Sequence, residues 1–178
     1  MEALFWQFIF YSFCGYLLEM GYAWLTSGHL TDRKCHLLLP VCPVYGIGAL
    51  LVLALPASVQ SSPVLLVLWG SAACTAAEWL LSVFYERAAG AAFWDYRSLP
   101  LNLRGRVCLL FSFFWGLLCL PLTYVVAPLV SQWAARIPAA ITLPCFLFYV
   151  ADALLSLLLL RRGGVDAIHL HLPAGERP

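Results

Sequence analysis

Residues 64–86 read VLLVLWGSAACTAAEWLLSVFYE, a run whose charges are confined to Glu78 and Glu86. A helix needs roughly 20 mostly apolar residues to cross the hydrocarbon layer of a bilayer, and this run meets that demand. Working outward from it, four further stretches qualify, at about 4–25, 38–57, 107–127 and 139–160. The 178-residue chain is 63% hydrophobic and 11% charged, with a mean hydropathy of +0.87. Water-soluble domains carry about 25% charged residues, so a soluble core of this length could not hide so much apolar surface. The expected fold is all-α: a polytopic membrane bundle of about five transmembrane helices over residues 1–160, with a polar cytoplasmic tail over 161–178. The start, Met1-Glu2-Ala3, lacks the positive region of a secretory signal, so the first span is expected to persist in the mature protein.

The second stretch is the least regular. Pro40 and Pro43 sit at its start, and Gly46 and Gly48 follow. Prolines break or delay a helix, so this stretch is expected to be interrupted near its start, partly re-entrant. Such backbone is tolerated at membrane depth where protein surrounds it. The alternative is an ordinary helix with Pro43 in its first turn.

Charge sets the orientation. With the N-terminus outside, the inner side receives Arg33, Lys34, Arg87, Arg97, Arg104, Arg106, Arg161, Arg162 and Arg177, and the outer side receives Arg136. Basic residues near span ends face the cytoplasm, which gives an N-out, C-in topology.

Polar residues within the spans fall into stripes. Ser71, Thr75, Glu78, Ser82 and Glu86 recur at steps of three or four, as do Ser12, Gly15 and Glu19 in the first span. The fourth carries Ser112, Gly116, Cys119 and Thr123; the fifth, Cys145, Tyr149, Asp152 and Ser156. Residues so spaced share one helix face, and polar faces turn toward a bundle interior. At 1.5 Å per residue, Glu19, Glu78 and Asp152 lie roughly 20–22 Å from the outer ends of their helices. Three carboxyl groups thus fall in one layer of the cytoplasmic half. An uncompensated charge at mid-bilayer costs at least about 2.5–3.5 kcal/mol, so they require partners, protons or water. Two readings stay open: a substrate- or ion-facing site, or ion pairs with arginines that fix helix register. For the serines, threonines and Tyr149, packing is the simpler reading.

The inner segment between Tyr85 and Cys108 holds Trp94-Asp95-Tyr96 and Asn102-Leu103-Arg104-Gly105-Arg106. Trp94 and Tyr96 suit interfacial anchoring or a site. Asp95 is expected to pair with Arg104 or Arg106 to order the loop. Arg106 enters the fourth span within reach of Glu78 or Glu86, where a guanidinium can hold two carboxylates or an anionic substrate. The candidate binding residues are therefore Glu19, Glu78, Glu86 and Asp152, with Asp95, Tyr96, Asn102, Arg104 and Arg106 from the loop, and Tyr45, Ser12 and Ser112 beside them.

Other chemistries are not signalled. A net charge of +1 gives no basic face for nucleic acid. The seven cysteines form no Cys-x-x-Cys pair, so neither a disulfide framework nor a metal site is expected. His29, His36, His169 and His171 show no ligand spacing and are expected to be solvated. No cofactor is implied.

In Tyr11-Ser12-Phe13-x-Gly15-Tyr16-x-x-Glu19, Arg33, Pro40-x-Cys42-Pro43-Val44-Tyr45-Gly46-x-Gly48, Glu78, Glu86, Trp94-Asp95-Tyr96, Pro100-x-Asn102-x-x-Gly105-Arg106-Val107-Cys108 and Ser112-x-x-Trp115-Gly116, the chain resembles a bacterial family catalogued as putative ABC-transporter type IV, permease-like membrane proteins. The resemblance covers roughly residues 5–120; Tyr16 stands where tryptophan is common, and Leu39 where glycine is. It implies a transport role. The chain has no Gly-x-x-x-x-Gly-Lys-Ser/Thr loop for nucleotide phosphates, so ATP-driven work implies a separate ATPase subunit. So short a bundle also suits a homo-oligomer. Two other functions stay open: a non-catalytic membrane scaffold or assembly subunit, in which the stripes are packing surfaces, and an intramembrane enzyme acting on a lipid-type substrate.

Overall fold

The computed structural model describes residues 2–28 and 34–168. Arg33, His29, His169, His171 and Arg177 lie outside the described residues, as does the terminal tail from residue 169 onward.

Among the described residues, four helices are long and apolar enough to cross a membrane. The first is α1 (Glu2–Ser27). Between it and the next full-length helix lie the short α2 (Pro43–Leu53) and the single turn α3 (Ala57–Gln60). Next comes α4 (Pro63–Ala89), which starts at Ser62, whose hydroxyl accepts from the Leu65 N–H, with Pro63 in its first turn. It stops at Gly90, whose φ of 64° closes the last turn. The third full-length helix is composite: α5 (Leu109–Pro121) runs through a π-helical turn at Leu122–Val126 into α6 (Ala127–Ala134). Pro121 has no N–H to give the preceding turn, so the ladder widens there instead of continuing unbroken. The last is α7 (Ala139–Gly163), ended by Gly164 at φ 65°.

The second apolar stretch departs from a full span. Its helix has 11 residues, about 16 Å long at 1.5 Å per residue, and the chain before it is irregular from Lys34 to Cys42. The two ends of that irregular segment are buried in protein, with Cys35, His36, Val41 and Cys42 each at most 5% exposed, while Leu38 at its middle is 58% exposed. Four of the segment's backbone N–H groups find acceptors on other helices. Leu38 and Leu39 donate to the two carboxylate oxygens of Asp152 at 3.0 and 2.9 Å, and Leu37 donates to Ser156 Oγ at 2.8 Å. The Cys42 N–H reaches the Ser12 carbonyl at 3.0 Å, so α2 begins beside the middle of α1. With Pro40 and Pro43 blocking a regular ladder, such outside acceptors are what let the backbone enter the bundle.

Helix α2 is central, packed between α1 and α4, and α4 packs in turn on α5. At one end of the bundle Trp6 Nε1 donates to Thr142 Oγ1 (3.0 Å), Gln7 Nε2 to Ser131 Oγ (3.2 Å) and the Tyr124 hydroxyl to the Gln60 carbonyl (2.7 Å). The opposite end carries Arg87, Arg97, Arg104, Arg106, Arg161 and Arg162 in its connections and helix termini. There Asn102–Leu103 (β1) pairs antiparallel with Val107–Cys108 (β2) around a tight turn. Arg104 and Gly105 take positive φ in that turn. After α7 the chain makes one short turn, and Ile168 is fully buried against Leu160, Tyr85 and Ala89. The seven cysteines all lie among the described residues, and no disulfide joins them.

Candidate functional site

Glu78 sits on α4, 3% exposed. Its carboxylate accepts from the Tyr96 hydroxyl at 2.8 Å and from Trp115 Nε1 at 3.2 Å. One donor comes from the loop after α4 and the other from α5, so the acid joins three pieces of chain. Burial, then the charge and hydrogen bond of Glu78, push the Tyr96 phenol above its ordinary value. Tyr96 therefore stays a proton donor at physiological pH.

Glu19 on α1 accepts from the Tyr45 hydroxyl at 2.8 Å. Tyr45 belongs to the first turn of α2 and reaches Glu19 by lying across Gly15, where a side-chain carbon would collide with its ring. The Tyr45 ring in turn meets Trp115 at 4.6 Å between centroids. A continuous path thus runs from Glu19 through Tyr45 and Trp115 to Glu78.

Both carboxyl groups line one cavity of about 510 Å³, together with Tyr45, Tyr96, Trp115, Phe111, Tyr22, Phe93, Trp94, Cys35 and Cys42 among others. That volume lies in the range of small-molecule sites. Among the described residues no lysine or arginine is seen in an ion pair with either acid; Arg97 pairs with Asp95, and Arg106 with Glu86.

The remaining candidates lie elsewhere. Asp152, 2% exposed, accepts from the backbone N–H groups of Leu38 and Leu39 and does not line the cavity of Glu19 and Glu78. The expected common layer therefore brings together two of the three acids. Arg106 pairs with Glu86 rather than Glu78 and lies over the Trp79 ring at 5.1 Å. These two line a separate surface hollow with Arg87 and Arg104. Asp95 pairs with Arg97 at 3.7 Å, both exposed, instead of with Arg104 or Arg106. Asn102 is a turn residue: its amide donates to the Leu99 carbonyl at 2.7 Å, and its oxygen accepts from the Gly105 N–H at 3.0 Å. Ser112 accepts from Thr75 at 2.8 Å across the α4–α5 contact. Ser12 is fully buried against α2, where its hydroxyl has no protein partner. His36, expected in solvent, is 3% exposed and faces Tyr149 at 5.1 Å. Burial lowers its pKa below the ordinary 6.5, with Asp152 pulling weakly the other way.

Sequence reasoning left Trp115 out of the site. Its signal was its place three residues after Ser112 in the polar stripe of α5, but an indole within an apolar span reads as packing until its N–H is seen to have a target.

A family model described as Putative ABC-transporter type IV matches residues 6–157 of this chain. No curated protein and no solved structure matches it.

Proposed function

Since the chain belongs to the Putative ABC-transporter type IV family and is a multi-pass membrane protein built for a transporter-like role, we propose that it is a permease-like component whose substrate or coupling cation binds between Glu19 and Glu78. The observation that carries this reading is the pairing of the two acids in one cavity where, among the described residues, the tyrosine and tryptophan donors to them are neutral. Tyrosine and tryptophan N–H and O–H groups orient a carboxylate without cancelling its charge. In a low-dielectric site that charge must be met by protons or by a bound cation. A scaffold whose acids merely fix helix register would instead pair them with arginine, as Arg106 does for Glu86.

In this reading the arginine-rich end faces the cytoplasm, because Lys and Arg accumulate on that side of membrane proteins. The cavity then lies in the inner half of the bilayer. Lacking a phosphate loop of its own, the protein would take ATP-derived work from a separate ATPase subunit.

The test is proton entry into proteoliposomes carrying a trapped pH-sensitive dye, driven by an imposed inside-negative potential. Wild-type protein is expected to conduct, and Glu19→Gln and Glu78→Gln to lose most of the flux. Flux unchanged by both substitutions would overturn the reading.

A further inference from the structure

The cavity of Glu19 and Glu78 adjoins another with which it shares part of its lining, and the two are taken together as one groove. A second cavity, of about 440 Å³, shares Leu18, Tyr45, Trp115 and Leu118 with the first and continues past Cys119 to Leu122 and Val126. It has no carboxyl group and no basic residue among its lining side chains. From Trp115 to Val126 the groove follows about 16 Å of helix axis at 1.5 Å per residue. Its two walls are α1 and α5, and its floor is α2. The rim is apolar and open: Leu18 is 48% exposed, Phe114 43% and Leu117 42%. In a bilayer this rim faces the acyl chains.

A groove that is acidic and aromatic at one end, apolar along its length and open sideways has the polarity of an amphiphile. The sign of its head is set by the acids. An anionic or phosphate head would meet two carboxyl groups and no described counter-charge. A cationic head would meet the acids and the faces of Tyr45, Tyr96 and Trp115, which attract a cation through their ring quadrupoles. The surface that suits lipid phosphates is elsewhere, at Arg87 and Arg104 in the separate surface hollow.

We propose that the ligand of this groove is a cationic amphiphile: an ammonium-type head held between Glu19 and Glu78, with a hydrocarbon tail lying between α1 and α5. It enters sideways from the membrane. This deepens the transport reading and rests on it, because it names the class of cation that the two acids take.

Full-length protein in nanodiscs of zwitterionic lipid, titrated with radiolabelled dodecyltrimethylammonium against empty nanodiscs, tests it. Saturable binding is expected, weakened by about tenfold or more in Glu78→Gln and Glu19→Gln, as the loss of a charge-assisted contact implies. Leu118→Trp, which fills the groove where the two cavities meet, should cut binding of the long-chain probe while sparing the weak binding of tetramethylammonium. Glu78→Asp, which keeps the charge, should recover part of the affinity and so separate loss of charge from loss of fold. Equal affinity for tetramethylammonium and the long-chain probe, or equal competition by dodecyl sulfate, would overturn the proposal. So would a groove found cross-linked to a second copy of the chain instead of occupied by the probe. Acid-dependent proton flux without amphiphile binding would sink this inference and leave the transport reading standing; absence of both would sink the two together.

Discussion

Glu78 shows how much one buried carboxyl group can organise. It takes a hydroxyl from the loop and an indole N–H from α5, so removing either donor leaves an oxygen unsatisfied in a poorly solvated site. Tyr96→Phe deletes the hydroxyl and keeps the ring stacked on Phe111. It is expected to cost about 1–3 kcal/mol, read as a lowered apparent Tm in detergent, with the bundle otherwise intact. Asp152 has a different task. Each of its oxygens takes a backbone N–H of the irregular segment, and Asp152→Ala would orphan both at about 1–3 kcal/mol each. Cys35 and Cys42, at 5% and 2% exposure, should then react faster with a membrane-permeant maleimide, while Asp152→Asn, which keeps one acceptor, should fall between. His36 gives a pH signature. Its folded pKa lies below the ordinary 6.5 because burial disfavours the charged ring. The unfolded chain therefore binds more protons as pH falls from that ordinary value through the folded one, and stability drops across that window. Wild type minus His36→Gln, followed by thermal unfolding between about pH 7 and pH 5, should show that slope.

The irregular segment and α2 act together. The prolines were visible in the sequence, and an interruption near the start of the second stretch followed from them. That the helix would shorten to Pro43–Leu53 was not visible, because its length depends on where outside acceptors wait. Those acceptors, Asp152 and Ser156, sit more than a hundred residues away in α7. In the sequence Asp152 looked like a third member of the acidic layer; its place along the helix was legible, its rotation toward the Leu38 and Leu39 backbone was not. Gly15 is the corresponding close contact of the site. A side chain there collides with Tyr45, so Gly15→Leu should push the ring off Glu19 and destabilise the α1–α2 contact by about 1–3 kcal/mol, the usual range for overpacking. A lowered apparent Tm together with loss of the Glu19-dependent flux would be the readout. Lost flux at wild-type stability would instead point to a purely electrostatic role for Tyr45.

Taken as a bundle, the protein separates its charges by end. Arg136 stands alone among the described basic residues at the end tied by Trp6, Gln7 and Tyr124, and the others gather opposite. A cysteine placed at Ser61 is expected to label in intact cells with an impermeant maleimide, and one at Ser98 to label after permeabilisation alone; the reverse pattern would invert the topology. What the sequence by itself determined was that apolar helices form, roughly where they run, and which faces carry polar groups. Each of those depends on local quantities: the transfer of side chains into hydrocarbon, the three-to-four residue period, the missing N–H of proline. Which polar faces meet was decided by the tertiary structure alone. Glu19 finds Glu78 across one cavity, Asp152 turns to backbone and Arg106 to Glu86, because rotation and packing of whole helices, fixed by close contacts such as Tyr45 over Gly15, set distances that spacing along one chain does not encode.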